Sequence, residues 1–186
     1  MYILEIPTHG VLLSRTRKYD YGDKVASLTT ISTPHHGSEI ADLLYSRKGI
    51  HSKIVRLRLM GFGKLYGDLH PDIYKLNYEL TTVKMKEFNK NVTMDNKVYY
   101  QSIYSTMNDP LDDIILSRSY NYIKKEAGDN DGLVSECSAR WSDHIIKIEG
   151  GISHEQIIDQ RGKNIAGINI HGLYLKMVSD LSAMGF

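Results

Sequence analysis

Two short stretches hold the residues with the most obvious chemical use. "GDNDGLVS", Gly128 to Ser135, offers carboxylates at Asp129 and Asp131; "GGISHEQIID", Gly150 to Asp159, offers an imidazole at His154. An acid followed 23 residues later by a histidine suits acid–base work. A carboxylate that accepts from one ring nitrogen fixes the tautomer and stabilises the imidazolium, while the other nitrogen shuttles a proton. A third stretch, "TPHHGS", Thr33 to Ser38, places His35 and His36 beside a glycine.

Each stretch also has an ordinary reading. Asn-Asp-Gly is a common turn, and a histidine ahead of a short helix is most often a surface or capping residue. The "DND-G" pattern is also part of a calcium loop, but on that loop Ala127 and Ser138 would fill the first and last ligand positions, where carboxylates are needed, so an EF-hand is rejected. His35 and His36 are sequence neighbours and point to different sides, so they read as turn residues. No H-E-x-x-H or spaced Cys/His set occurs, and the one cysteine, Cys137, reads as a small buried apolar residue. The run Asp109 to Asp113, "DPLDD", reads as a solvated helix start.

The elements that must carry these residues alternate. "KVASLTTIST" (Lys24 to Thr33), "KVYYQSIYS" (Lys97 to Ser105) and "HIIKIEGG" (His144 to Gly151) are short β-branched runs bounded by turn residues, as expected of buried strands. Between them, "LTTVKMKEFNKN" predicts a helix capped by Thr81 or Thr82, with Leu80, Val83 and Phe88 on one face and Asn89 or Asn91 as a stop. Near the end, Tyr174, Met177, Val178 and Leu181 follow helical spacing, and Gly185 stands as C-cap. Strands separated by helices predict an α/β fold with a parallel sheet, whose reactive groups belong beyond the C-terminal strand ends. The less regular stretch from about residue 45 to 80 reads as a lid-like connection.

Composition narrows the class. With 186 residues, 41% of them apolar and 24% charged, the chain has the makings of one globular domain spanning 1–186. A net charge of +1 makes no electrostatic case for a nucleic-acid partner. A single cysteine excludes an internal disulfide and assigns no compartment. No apolar run reaches the roughly 18 residues of a membrane span, and the first ten residues lack the flanks of a signal peptide.

Taken together, "VASLTTISTPHHGSEIADLL", "VYYQSIYS", "GDNDGLVSECSARW" and "GGISHEQIID" resemble the C-terminal two thirds of bacterial triacylglycerol lipases of the α/β-hydrolase fold. The resemblance implies a partial α/β-hydrolase fold: C-terminal parallel strands, flanking helices and a lid-like insertion. It implies Asp131 as triad acid, His154 as triad base, and a lipid or ester substrate. The Pro-His-x-Gly corner would pack beside the active site, with Gly37 allowing close backbone approach. Relatives often hold calcium near the histidine turn through an acid two positions past the histidine and another upstream. Here those positions are Gln156 and Asp112 or Asp113, and a neutral amide is a poor ligand for a hard cation, so no cofactor is expected.

The departure lies ahead of Lys24. Lipases of this type carry the nucleophile in a G-x-S-x-G or A-H-S-x-G-G elbow, and neither motif occurs in this chain. Aligning the family's downstream Ser-Arg with Ser14-Arg15 puts Thr8 at the nucleophile, Pro7 before it and Val11 at a glycine position. Pro7 and Val11 oppose the tight turn, and a β-branched threonine tolerates strained backbone poorly. The strands preceding the elbow, and the loop giving one oxyanion amide, have no counterpart in this reading; each lost oxyanion donor weakens transition-state stabilisation by roughly 3 kcal/mol. The expectation is a truncated lipase or esterase, inactive or impaired as given. The alternative is a non-catalytic remnant or lipid-surface-binding module. An exposed sheet edge would favour self-association.

Overall fold

The computed structural model of the chain describes residues 2–4, 24–46, 78–159 and 167–186. Thr8, Ser14 and nearly all of the lid-like segment lie outside the described residues. Four parallel strands form one sheet in chain order: β1 (Tyr2–Leu4), β2 (Ser27–Ile31), β3 (Tyr99–Ser105) and β4 (His144–Ile148). In register, Leu4 meets Thr30, Ile31 meets Ile103, and Ile103 meets Ile146. The three strands read from the sequence are present with tighter bounds. Strand β1 was not foreseen, so the expectation of no strand ahead of Lys24 is corrected: three residues pair with β2, too few to show a pattern of their own.

Helices lie on both faces, because alternate residues of the central strands point both ways. On one face, Ile31 and Ile103 pack with Ile152, with Ile157 of α5 (His154–Ile157), and with Ile170 and Met177 of α6 (Ile170–Ala183). On the other, Leu28 and Tyr100 pack with Phe88 of α2 (Thr82–Asn91), Val92 and Trp141. Tyr104 meets Val134 and Ala139 of α4 (Glu136–Ala139). The helices α1 (Glu39–Tyr45) and α3 (Ser117–Ala127) complete the described elements and contact each other.

Burial follows the read periodicity in part. Met177 and Leu181 of α6 are buried as expected, but Val178 is exposed. Its C-cap is Met184, and Gly185 takes the left-handed position just beyond. In α2, Val83 is 74% exposed; the side chains that reach the core are Phe88 and Val92. Two side chains depart further from expectation. Cys137 is exposed on α4, and "DPLDD" is a turn rather than a helix start, with Asp113 buried and the next helix beginning at Ser117.

The N-terminus of α2 takes its cap from another helix. Thr81 makes no side-chain cap; instead Asp42 of α1 accepts from Thr82 N at 3.0 Å and from Thr82 Oγ1 at 2.7 Å. Asp42→Ala is therefore expected to destabilise the fold by about 1–2 kcal/mol, the range for a lost cap, read as a lower urea midpoint by circular dichroism. An unchanged midpoint would mean that this contact contributes nothing.

Candidate active site

In a parallel sheet the three loops of interest leave the same edge. The corner at His35 follows β2, the Asp131 turn follows β3 and α3, and His154 follows β4. The corner is built around His35, which lies in a turn as its spacing implies and is buried there. It stacks on Trp141 at 4.3 Å with rings 3° from parallel, and has Nε2 3.0 Å from Thr30 Oγ1. His36 is exposed.

Gly37 adopts φ +98°, and an added Cβ would lie 2.5 Å from Thr82 Cα. The close approach expected at Gly37 is thus made by the backbone of α2. Ser138 of α4 ties this corner to the acid's turn: its hydroxyl donates to Gly37 O at 2.5 Å and accepts from His36 N at 3.2 Å. Ser38 adds a bond to Leu133 O at 3.3 Å and caps α1.

Asp131 sits in a turn shaped by its neighbours. Asn130 Nδ2 donates to Gly128 O and Tyr120 O, and Asn130 Oδ1 accepts from Gly132 N at 2.9 Å. Gly132 has φ +95° and leaves no room for a Cβ against Leu116. The Asp131 side chain is 1% exposed. Its Oδ1 accepts from Leu133 N at 3.0 Å and Val134 N at 2.7 Å, and its Oδ2 lies 2.8 Å from Nδ1 of His154. The His154 backbone N–H donates to Asp131 O at 2.9 Å, so backbone and ring bind the same residue.

This geometry assigns the tautomer. A carboxylate oxygen only accepts, so the proton between the two groups belongs on Nδ1, and the Nε2 lone pair becomes the basic position. The His154 side chain keeps 16% exposure, against 1% for that of Asp131. Close by, Tyr104 donates to Glu136 Oε1 at 2.9 Å, and its hydroxyl pKa is pushed up to about 12, by burial first and by the Glu136 carboxylate second.

The histidine turn is tied to "DPLDD" through Gln156, Asp112 and Asp113, the positions weighed for calcium in the sequence, and through Ser153, which the sequence reading passed over. Ser153 caps α5 and donates to Asp113 Oδ2 at 2.8 Å. Gln156 accepts from Ser153 N at 2.8 Å and donates from Nε2 to Asp112 O at 3.1 Å. The S-H-E-Q spacing of a capping box, present in the sequence, is the signal that would have pointed to Ser153. Among the described residues no group of three His, Cys, Asp or Glu side chains is arranged to hold a metal ion.

With the loops placed, the comparisons become informative. The Staphylococcus hyicus lipase structure matches with a TM-score of 0.62 at 19% identity, over 84% of this chain and 56% of that one. The mature Bacillus licheniformis lipase BlEst2 matches with a TM-score of 0.52 at 22% identity, over 85% and 63%. The chain shares the fold of these two structures, that of an α/β-hydrolase, in part. In sequence, the lipase-like chain is 28% identical over 194 residues to triacylglycerol lipase 2 of Saccharomyces cerevisiae, which covers 92% of this chain and 52% of that protein. It spans about half the length of that curated relative. No family model matches the chain.

Proposed function

We propose that the chain carries the acid–base half of a serine-type carboxylic ester hydrolase, with Asp131 as the acid and His154 as the base. The observation that carries the reading is the 2.8 Å contact between Asp131 Oδ2 and His154 Nδ1 at the C-terminal edge of a parallel sheet. His154 Nε2 takes the proton of a nucleophilic hydroxyl as it attacks the ester carbonyl, and returns it to the departing alkoxide. Asp131 holds the ring and stabilises the imidazolium between the two transfers.

An apolar ester is the substrate class favoured. Leu111, Ile114 and Ile115 are 80%, 77% and 61% exposed on the turn whose Asp113 binds Ser153, the residue before His154. The nucleophile is the weak member. With Pro7, Thr8 and Val11 where the elbow aligns, turnover by the chain itself is slow or absent. Ser38 is not a replacement, because its hydroxyl already caps α1 and donates to Leu133 O.

The test is hydrolysis of p-nitrophenyl butyrate by a chain whose elbow is restored by Pro7→His, Thr8→Ser and Val11→Gly. Activity that disappears with His154→Ala supports the assignment. Activity indifferent to His154→Ala contradicts it. The motif gap also favours a second reading, a lipid-surface module without chemistry. A fluorophosphonate probe separates the two on the unaltered chain: a labelled hydroxyl means catalysis, and an unlabelled folded protein favours the module.

A further inference from the structure

The resemblance to lipases implies a calcium ion beside the histidine turn, and the donors found there do not fit one. A calcium ion takes six to eight oxygen ligands, with carboxylates prominent among them. Two positions past His154 stands Gln156, whose Nε2 points an N–H at the Asp112 carbonyl, 3.1 Å away. The amide's own oxygen already accepts from Ser153 N, so this position turns a donor hydrogen, and no free carboxylate, toward the upstream turn.

The two upstream acids are engaged within the protein. Asp112 Oδ2 accepts from Asn108 N at 2.6 Å and from Asp109 N at 3.2 Å. That oxygen would lie only 2.6 Å from a Cβ built on Gly151, so the space between the two turns is already filled. Asp113 is buried, with Oδ1 accepting from Ile115 N at 3.0 Å and Oδ2 accepting from Ser153 Oγ at 2.8 Å.

We infer that the His154 turn is held by a metal-free clamp, in which Gln156 to Asp112 and Ser153 to Asp113 make the connection between turns and Gln156 is a positioning residue for His154. Gln156 acts at one remove. Its Oε1 holds Ser153 N, Ser153 starts the helical turn, and His154 is the next residue, its backbone N–H fixed on Asp131 O. Loosening Gln156 leaves the ring attached but free to swing away from Asp131 Oδ2. The positioning role rests on the reading of His154 as the base; the clamp itself does not.

The test compares thermal unfolding in EGTA with unfolding in millimolar calcium chloride. The unaltered chain is expected to melt at the same temperature in both. Gln156→Ala should lower the melting temperature by about 3 °C, equally in both, the shift expected for one lost hydrogen bond in a chain of this size. Calcium raising the melting temperature of the unaltered chain by more than about 2 °C would overturn the clamp. If Gln156→Ala does not fold, Gln156→Glu serves in EGTA alone, since it keeps an acceptor for Ser153 N and loses the donor to Asp112, but offers calcium the carboxylate that Gln156 lacks.

Either variant should speed solvent exchange of the His154 ring N–H roughly fivefold by NMR, matching one lost bond of about 1 kcal/mol. Exchange at the unaltered rate would overturn the positioning role, because a merely structural residue would leave that proton alone. None of these readouts needs turnover. A calcium-dependent melt in an active, His154-dependent restored enzyme removes only the clamp. A calcium-blind melt in a restored enzyme whose activity ignores His154→Ala removes only the functional reading.

Discussion

In the elbow-restored chain, Asp131→Asn is expected to lower kcat for p-nitrophenyl butyrate about 10⁴-fold, equivalent to roughly 5.5 kcal/mol of activation free energy. The amide keeps an acceptor for the N–H groups of Leu133 and Val134, so the turn survives. Toward His154 it presents NH₂ where a carboxylate oxygen stood. The imidazole must then carry its proton on Nε2, which leaves no lone pair for the nucleophile's proton. The control is Asp131→Ala, which also strands two buried N–H donors and is expected to lose an additional ~2–4 kcal/mol of stability. A fall of less than tenfold for Asp131→Asn, with the fold intact, would mean that the carboxylate is not setting the tautomer.

Gly37→Ala should be the most damaging single-methyl change in the described part of the fold, at about 2–5 kcal/mol. Two penalties combine. A non-glycine residue at φ +98° costs ~1–2 kcal/mol, and forcing a methyl into a filled space costs ~1–3 kcal/mol. The obstructing atoms are backbone, Thr82 Cα at 2.5 Å and Thr82 N at 2.7 Å, and they cannot rotate away. Nor can α2 slide, because Asp42 holds its first residue and Asn89 Nδ2 donates to His35 O at 2.7 Å. Gly128→Ala separates the two penalties: its φ is +91°, but nothing lies within 4 Å of the added Cβ, so only the backbone strain remains. Equal urea midpoints for the two variants would contradict the close-packing argument.

The sheet was legible where burial imposes a pattern. β2 and β3 lie in the interior, and a strand buried on both faces is mostly apolar or small, so "SLTTI" and "YYQSIYS" stand out from their flanks, with buried Gln101 satisfied by Thr29 Oγ1. β1 did not stand out, because three residues carry no period. The meeting of Asp131 with His154 was legible through their order after successive strands, a property of chain topology rather than of either local motif. Side chains whose role depends on distant partners were not. Nothing near His35 in the sequence announces Trp141, 106 positions on, as its stacking partner, and nothing near Asp113 announces Ser153. Val83 and Val178 fell on apolar stripes, but each described helix buries a narrower face than its stripe. Cys137 is exposed because α4 spans only four residues and turns Ser138 and Ala139 inward instead.

The account stands on the proton between Asp131 and His154, and ¹⁵N NMR of histidine-labelled protein observes it directly. The predicted spectrum has His154 in the Nδ1–H tautomer, with a strongly downfield bridging proton that is lost in Asp131→Asn while the fold remains. A His154 ring in the Nε2–H tautomer, or one averaging between both forms and unchanged by Asp131→Asn, would contradict it.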